Sequence, residues 1–535
     1  MMNKQAPTGL PTGPFEQPAR VRLPKTGDTR LRSSFWMFVT LIGAMFLRLY
    51  HLDIKPVHFD EGINGHFVNT IWREGFYRYD PTNFHGPLYF YILALAEKVF
   101  GFGIFGFRFA TALIQFAVIL VVGFHRRFLG RVAIWAAVII ALSPGFVFYS
   151  RYAIHESLFI LGQVAFSYGY FSYRAEKSQR SIWWMALALV ILISTKETFF
   201  IFIGTWAIAV ACDKLFDRYF PRFANEPEER LSAPEASIWV SIALVSLILI
   251  TALFTGFFLY MHGVLDFFTA LAVWTKTGQG HSGHEKPLLY YIDLLRKYEG
   301  PALIGLIASP VLCFFANRQL RILLLVGVGT FFAYSLIPYK TPWLILNLLW
   351  PLSIAAGAVI SRTMPALKIW RGVRSGLAIA TVGTLLFSGR EMWRLNFKDF
   401  ASKDEPYVYV QSSLDFKRAV DTIFIHIAKY PEDQNMRLLS LNRDPWPLPW
   451  LLMRLPNAVW SKAVDTNFAA ADVVLSDVED KALIESRLTG TYYVMPFQIR
   501  DSYQDGQAYF AQDKFKGDVP IGTPEFTGPK PEAAP

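Results

Sequence analysis

The run His58-Phe59-Asp60-Glu61-Gly62-Ile63-Asn64-Gly65-His66 sets two adjacent carboxylates and two imidazoles just beyond the first hydrophobic stretch of the chain. A carboxylate placed there can take a proton from a hydroxyl, and ionisable groups near lipid are costly unless they serve a site. The plainer alternative is a solvated loop in which Asp60 and Glu61 face water or cap the helix that follows. Trp72, Phe76, Tyr77 and Phe84 crowd the pair, and such apolar company favours a site.

Four further stretches carry related chemistry. Asn83 to Tyr91 contains His85, and Pro87 is suited to the first turn of a helix lying in or dipping into the interface. Tyr149 to Ser157 offers Arg151 for a phosphate and Glu156, which either caps the next helix or adds a third carboxylate to the same cavity as Asp60. In Ser194 to Thr198, Lys196 and Glu197 either neutralise each other or meet an anionic headgroup. The Pro-flanked corner Ile337 to Trp343 fixes Lys340 as a snorkelling anchor or a phosphate ligand. A glycine-rich loop, Trp274 to Pro287, reads as a flap closing over substrate, with His281 and His284 as its substrate-facing residues. The spacing of His281, His284 and Glu285 also admits a divalent metal, but the donor set is incomplete and no metal ligand is assigned.

The elements that position these groups follow from composition. The chain has 535 residues, 53% of them hydrophobic and 16% aromatic, more than a soluble core needs, so it reads as a polytopic membrane protein. Apolar stretches recur near 34–51, 104–124, 131–149, 157–173, 181–195, 199–216, 237–260, 301–316, 321–337, 342–361 and 375–389, which gives about eleven spans. Lys and Arg near the span ends put the N-terminus in the cytoplasm and every cluster above on the outer face. The same rule explains the net charge of +10 without a nucleic-acid partner. Cys212 and Cys313 form no disulfide or zinc pattern.

Residues 1–33 are expected to be a disordered cytoplasmic tail, 34–394 a transmembrane helix bundle, 395–515 a small α/β domain outside the membrane and 516–535 a disordered tail. In the α/β segment, 411–430 has a helical pattern, 436–441, 472–475 and 492–499 read as strands, and 477–488 reads as a helix. The run Asp444 to Trp450 follows the first of these strands, where it either stacks on a sugar or packs as a loop.

Taken together, His58-Phe59-Asp60-Glu61, His85-Gly86-Pro87-Leu88-Tyr89, Ser150 to Glu156, Thr195-Lys196-Glu197 and Tyr339-Lys340-Thr341-Pro342 resemble the GT-C superfamily of membrane glycosyltransferases. The resemblance is to its protein-mannosyltransferase and aminoarabinose-transferase branch and covers roughly 34–361. Three positions depart from the family pattern: Glu156 stands where Asp is common, His85 where Lys is often found and Gly86 where Pro is usual.

The resemblance implies a sugar transferred from a polyprenyl-phosphate donor to a glycan, lipid or protein acceptor on the outer face of the cytoplasmic membrane, with no certain cofactor. The residues suit that chemistry: Asp60 as general base, Glu61 and Glu156 to position the acceptor, and Arg151, Lys196, Lys340 and His85 for the donor phosphate. The rival is a transporter or flippase of polyprenyl-linked sugars, which would show internal repeats and broken helices at the midplane rather than charges gathered at one face.

Overall fold

The computed structural model describes residues 28–224, 234–280, 283–361, 371–461, 471–500 and 505–528. The tail up to residue 27, His281 and residues 529–535 lie outside the described residues.

Each apolar stretch named above forms a helix, as a chain in hydrocarbon must satisfy its own backbone donors and acceptors. Among the described residues, five helices are long and apolar enough to cross a membrane: Ile104–Leu129, Phe199–Tyr219, Ala236–Phe254, Arg318–Leu336 and Pro342–Ile360. Phe35–Leu49, Gln179–Ile193 and Gly300–Leu312 are apolar but shorter. The 131–149 stretch, expected as one straight span, is instead two helices, Arg131–Leu142 and Pro144–Ser150, meeting at 61°. Its cause is local: Pro144 has no N–H to continue the first helix, and Ser143 caps the second by accepting from the Phe146 N–H at 3.2 Å.

Pro342–Ile360 is the central helix, 94% buried over its apolar window. Polar side chains join it to His155–Glu176: Gln163 donates to Asn347 at 2.6 Å and accepts from the Trp350 indole at 2.7 Å. Such bonds across helices have no competing water in a bilayer. Arg318 and Arg321 are tied to Phe199–Tyr219 through Asp213 and Asp217, with Arg321 Nε 2.6 Å from Asp213 and Arg318 Nη2 2.6 Å from Asp217. The helix Leu88–Phe100 has 13 residues and is too short to span, as expected for an interfacial element.

The C-terminal region carries a sheet of six strands: β1 (Leu438–Ser440), β2 (Ala458–Trp460), β3 (Val473–Asp477), β4 (Thr491–Gln498), β5 (Asp505–Ala511) and β6 (Glu525–Thr527), in the order β2-β1-β3-β5-β4-β6. β2, β1 and β3 are parallel, and the others pair antiparallel. Helix Leu414–Lys429 buries Phe416, Val420 and Ile423 at helical spacing against it. β6 falls in the stretch read as disordered, where Phe526 pairs opposite Tyr492 and extends the sheet edge. The sheet is not separate from the bundle: Val68, Tyr89 and Phe90 share one apolar core with Phe416, Val473 and Phe510.

Candidate active site

Asp60 and Glu61, adjacent in sequence, have different surroundings. They open helix Phe59–Glu74, capped by His58: the His58 Nδ1 accepts from the Asp60 N–H at 3.0 Å, while Glu61 Oε2 accepts from the His58 N–H at 2.9 Å. This reciprocal cap turns Glu61 into the protein. Its carboxylate is fully buried against Arg108, 2.9 Å from Nε and 2.7 Å from Nη2, and also accepts from the Ala153 N–H at 2.9 Å. Burial alone would raise its pKa, but the Arg108 charge and the backbone donors more than reverse this and hold it below the ordinary value. Glu61 is therefore a structural anchor, a correction to the acceptor-positioning role read from sequence.

Arg108 extends that anchor by donating to the carbonyls of Leu52, Lys55 and Pro56 at 2.9 to 3.0 Å, so the 52–61 segment is wound around one guanidinium. The sequence held the signal, an arginine inside an apolar span, and the reading missed it.

Asp60 faces the other way, into a cavity of about 620 Å³ also lined by His85, Glu156, Lys196, Glu197 and His284. The topology thus brings six candidate groups from five separate stretches to one space. Lys196 is paired with Glu156, and His85 Nδ1 lies 3.0 Å from Glu197 Oε2. Burial works against the Lys196 charge, but Glu156 and Glu197 outweigh it and raise its pKa, so the side chain is an ammonium. Glu197 is likewise pushed up by burial and brought back below the usual carboxylate value by His85 and Lys196.

Gly86 explains its own departure from proline. Its N–H donates to the Thr195 carbonyl at 3.0 Å, and a Cβ there would lie 2.3 Å from the Ser194 backbone. Only a residue with an N–H and no side chain lets the first loop join the 194–198 turn so closely.

Two predicted phosphate ligands are elsewhere. Arg151 is buried and donates to the backbone carbonyls of Leu47, Tyr50 and His51. Lys340 Nζ donates to the carbonyls of Ile337 at 2.6 Å and Lys286 at 3.2 Å. Neither lines the cavity. A buried cation in a corner of this kind finds the nearest carbonyls, which sequence spacing does not reveal. We expect Arg151→Gln and Lys340→Gln to lower thermal stability while leaving lipid-phosphate affinity unchanged, measured by melting and binding on the same preparations.

The flap expected at 274–287 is pinned where it is described. Glu285 bridges to Tyr339, the Lys340 N–H donates to the His284 carbonyl at 3.0 Å, and His284 Nδ1 is 2.7 Å from the Tyr409 hydroxyl. His281 lies outside the described residues. Among the described residues no group of three or more His, Cys, Asp and Glu side chains is arranged to hold a metal.

The C-terminal region also lines the cavity, with Asp444 from the run singled out in the sequence and with Tyr409 and Arg500, which sequence reasoning did not find. Arg500 Nη2 is 2.7 Å from Asp444, and its guanidinium lies over the Phe59 ring, 4.4 Å from the centroid. The Tyr409 carbonyl accepts from His58 Nε2 at 2.7 Å, and Gln411 donates to the Pro56 carbonyl at 2.7 Å. The Asp444–Trp450 run leads into a short helix, Leu448–Leu451, in which Trp450 is fully buried and stacks on Phe107 at 5.3 Å. It also presses on the Asp60 helix, where a Cβ at Gly62 would lie 2.4 Å from Pro447 and one at Gly65 2.3 Å from Trp450. The contacts of Tyr409 with His58 and of Gln411 with Pro56 join residues 351 and 355 positions apart, and no local pattern announces them.

The fold resembles that of solved membrane glycosyltransferases of the GT-C class. It matches ArnT from Cupriavidus metallidurans bound to undecaprenyl phosphate with a TM-score of 0.60 at 14% identity, covering 93% of this chain and 100% of that one. The apo state of the same enzyme matches with a TM-score of 0.59 at 14% identity, covering 89% and 98%. More particularly, residues 63–265 match the family model of dolichyl-phosphate-mannose-protein mannosyltransferases. No curated protein matches the chain in sequence. The GT-C resemblance read from the motifs is thereby borne out.

Proposed function

We propose that this protein transfers a sugar from a polyprenyl-phosphate donor to an acceptor hydroxyl on the outer face of the cytoplasmic membrane, with Asp60 as general base. The observation that carries the reading is the division of the cavity. Asp60 faces it with no ion-paired cation among the described residues, while Lys196 and His85 lie on the same cavity wall system with Glu156 and Glu197. Asp60 takes the acceptor proton, the acceptor oxygen attacks the anomeric carbon, and the bond from that carbon to the phosphate oxygen breaks. The phosphate leaves with added charge towards Lys196, assisted by His85. Glu156 holds Lys196 in place.

The shared fold with an enzyme solved with undecaprenyl phosphate supports the donor class, and the matched family model supports glycosyl transfer. A flippase is the weaker reading, since the ionisable groups converge on one cavity beside a carboxylate suited to proton removal. Incubation of the purified protein with labelled polyprenyl-phosphate sugars tests it: lipid phosphate should be released in the presence of acceptor. Lys196→Gln should weaken binding of a short-chain polyprenyl phosphate by about 1.5 to 3 kcal/mol, the range for a hydrogen bond to a charged group. Unchanged binding would move the phosphate away from this wall.

The proposed topology has about eleven spans, the short and bent helices included, with the N-terminus inside and the region from 395 outside. Cysteines introduced at Ser402 and Ser178 check it with an impermeant reagent on intact cells. Labelling is expected at 402 alone, and labelling at 178 alone would invert the arrangement.

A further inference from the structure

Asp444 and Arg500 line the same cavity as Asp60, and the function proposed above gives them no part. Asp444 follows the end of β1, and Arg500 follows the end of β4. β1 is parallel to β3, while β3 and β4 are both antiparallel to β5, so β1 and β4 run in the same direction. Their carboxyl ends therefore share one edge of the sheet, and carboxyl edges are where open α/β sheets hold ligands. From that edge Arg500 reaches over the Phe59 ring, beside Asp60 in the chain.

The two side chains are not equivalent. Arg500 is fixed from three directions: by the Phe59 ring, by the Asp444 carboxylate 2.7 Å from Nη2, and by a backbone bridge to Ser412. Its side chain is 3% exposed, whereas that of Asp444 is 27% exposed. The guanidinium is thus a rigid support, and the carboxylate is the half of the pair that a ligand meets. Trp450, at the far end of the Asp444 run, is fully buried and offers no ring to a ligand.

Charge narrows the ligand. On this side of the cavity Arg500 and Lys403 are matched by Asp444 and Asp60, so the wall presents donors and acceptors without a net charge that would select an ion. Tyr409 and Trp343 add aromatic surface to the lining, their ring centroids 6.0 Å apart. A fixed carboxylate beside aromatic rings matches a sugar, which has hydroxyls around its edge and C–H groups on its faces.

We propose that Asp444 and Arg500 form the acceptor subsite and that the acceptor is a glycan. Asp444 accepts a hydrogen bond from a sugar hydroxyl other than the one that reacts, and Arg500 is the positioning residue that holds Asp444. This rests on Asp60 being the base and names the acceptor class for that reaction. Gripping a second hydroxyl sets the reacting one against Asp60, and an acceptor with a single hydroxyl gives Asp444 nothing to hold. No covalent bond forms or breaks at either residue.

The test compares acceptors in transfer from labelled polyprenyl-phosphate sugars: methyl mannoside, methyl glucoside and methyl galactoside, cyclohexylmethanol with its one hydroxyl, and a short serine peptide. For the full-length protein, kcat/KM with at least one methyl hexoside should exceed that with cyclohexylmethanol and with the peptide by about 10- to 100-fold, the effect of a hydrogen bond to a charged group. Asp444→Asn keeps the size and loses the charge, and it should cut this preference about 10-fold through the hexoside KM, with the donor KM unchanged. Arg500→Lys keeps a cation but not the fork, and it should cut the preference less. A pair that only braces the sheet would lower transfer to hexoside and alcohol alike, and an unchanged ratio in both variants would overturn the subsite. If Asp444→Asn does not fold, Arg500→Lys and the wild-type ratio still decide, since a wild-type ratio near one, or a preference for the peptide, also overturns it. Lipid phosphate released without transfer to any hexoside counts against the glycan in the same way. An Asp60→Asn protein that stays active instead sinks the base assignment, whatever the acceptor ratios show.

Discussion

Asp60→Asn should reduce turnover by about 10²- to 10⁴-fold, the usual contribution of a general base, and should leave the fold and the donor affinity nearly intact. Asparagine keeps the shape of the side chain and can still accept from Tyr152, so the cap by His58 and the packing of Phe59–Glu74 are undisturbed. What it lacks is a site for the acceptor proton. Lipid-phosphate release, donor binding and a melting curve measured on the same preparation separate these effects. A variant that keeps most of its turnover would take the base away from Asp60, and Glu156 would be the next carboxylate to test.

The second large effect concerns stability. Arg108→Met should cost about 3 to 5 kcal/mol and prevent recovery of folded protein, because it leaves Glu61 buried without its cation. Three backbone carbonyls that receive Arg108 lose their donor at the same time. Combining Glu61→Leu with Arg108→Met removes both charges, and the double variant should recover part of the loss while remaining below the parent, since those carbonyls stay unsatisfied. Yield of monodisperse protein and its melting midpoint are the readouts. A well-folded Arg108→Met protein would mean that water reaches Glu61.

The helices and the convergence of the outer motifs were legible because each rests on a local pattern: an apolar run of spanning length, or an ionisable cluster at its end. Asp60, His85, Glu156, Lys196 and His284 were found that way, and they share a cavity. The misreadings have a common physical origin. Glu61, Arg151 and Lys340 are charged groups beside the site, but each is turned towards partners far along the chain or towards carbonyls at a corner. A side chain one residue from a functional one is rotated about 100° away on a helix, so adjacency in sequence says little about shared direction. Arg500 and Tyr409 had no chance of detection, since nothing around them differs from an ordinary strand end or loop, whereas Asp444 opens the Pro- and Trp-rich run that the sequence did mark. The break at Ser143-Pro144 could have been read from its proline, which the hydropathy of 131–149 concealed.

The contacts of Gly62 with Pro447 and of Gly65 with Trp450 bear on how this chain can be inherited and recombined. A helix that carries Asp60 and two glycines fitted to a distant proline and tryptophan cannot be exchanged by itself. A chimera that takes its first outer loop from one relative and its C-terminal region from another will misplace Asp60 unless both sides of that fit come from the same parent. Chain regions that look like separable modules in a hydropathy profile are, at this seam, a single inherited unit.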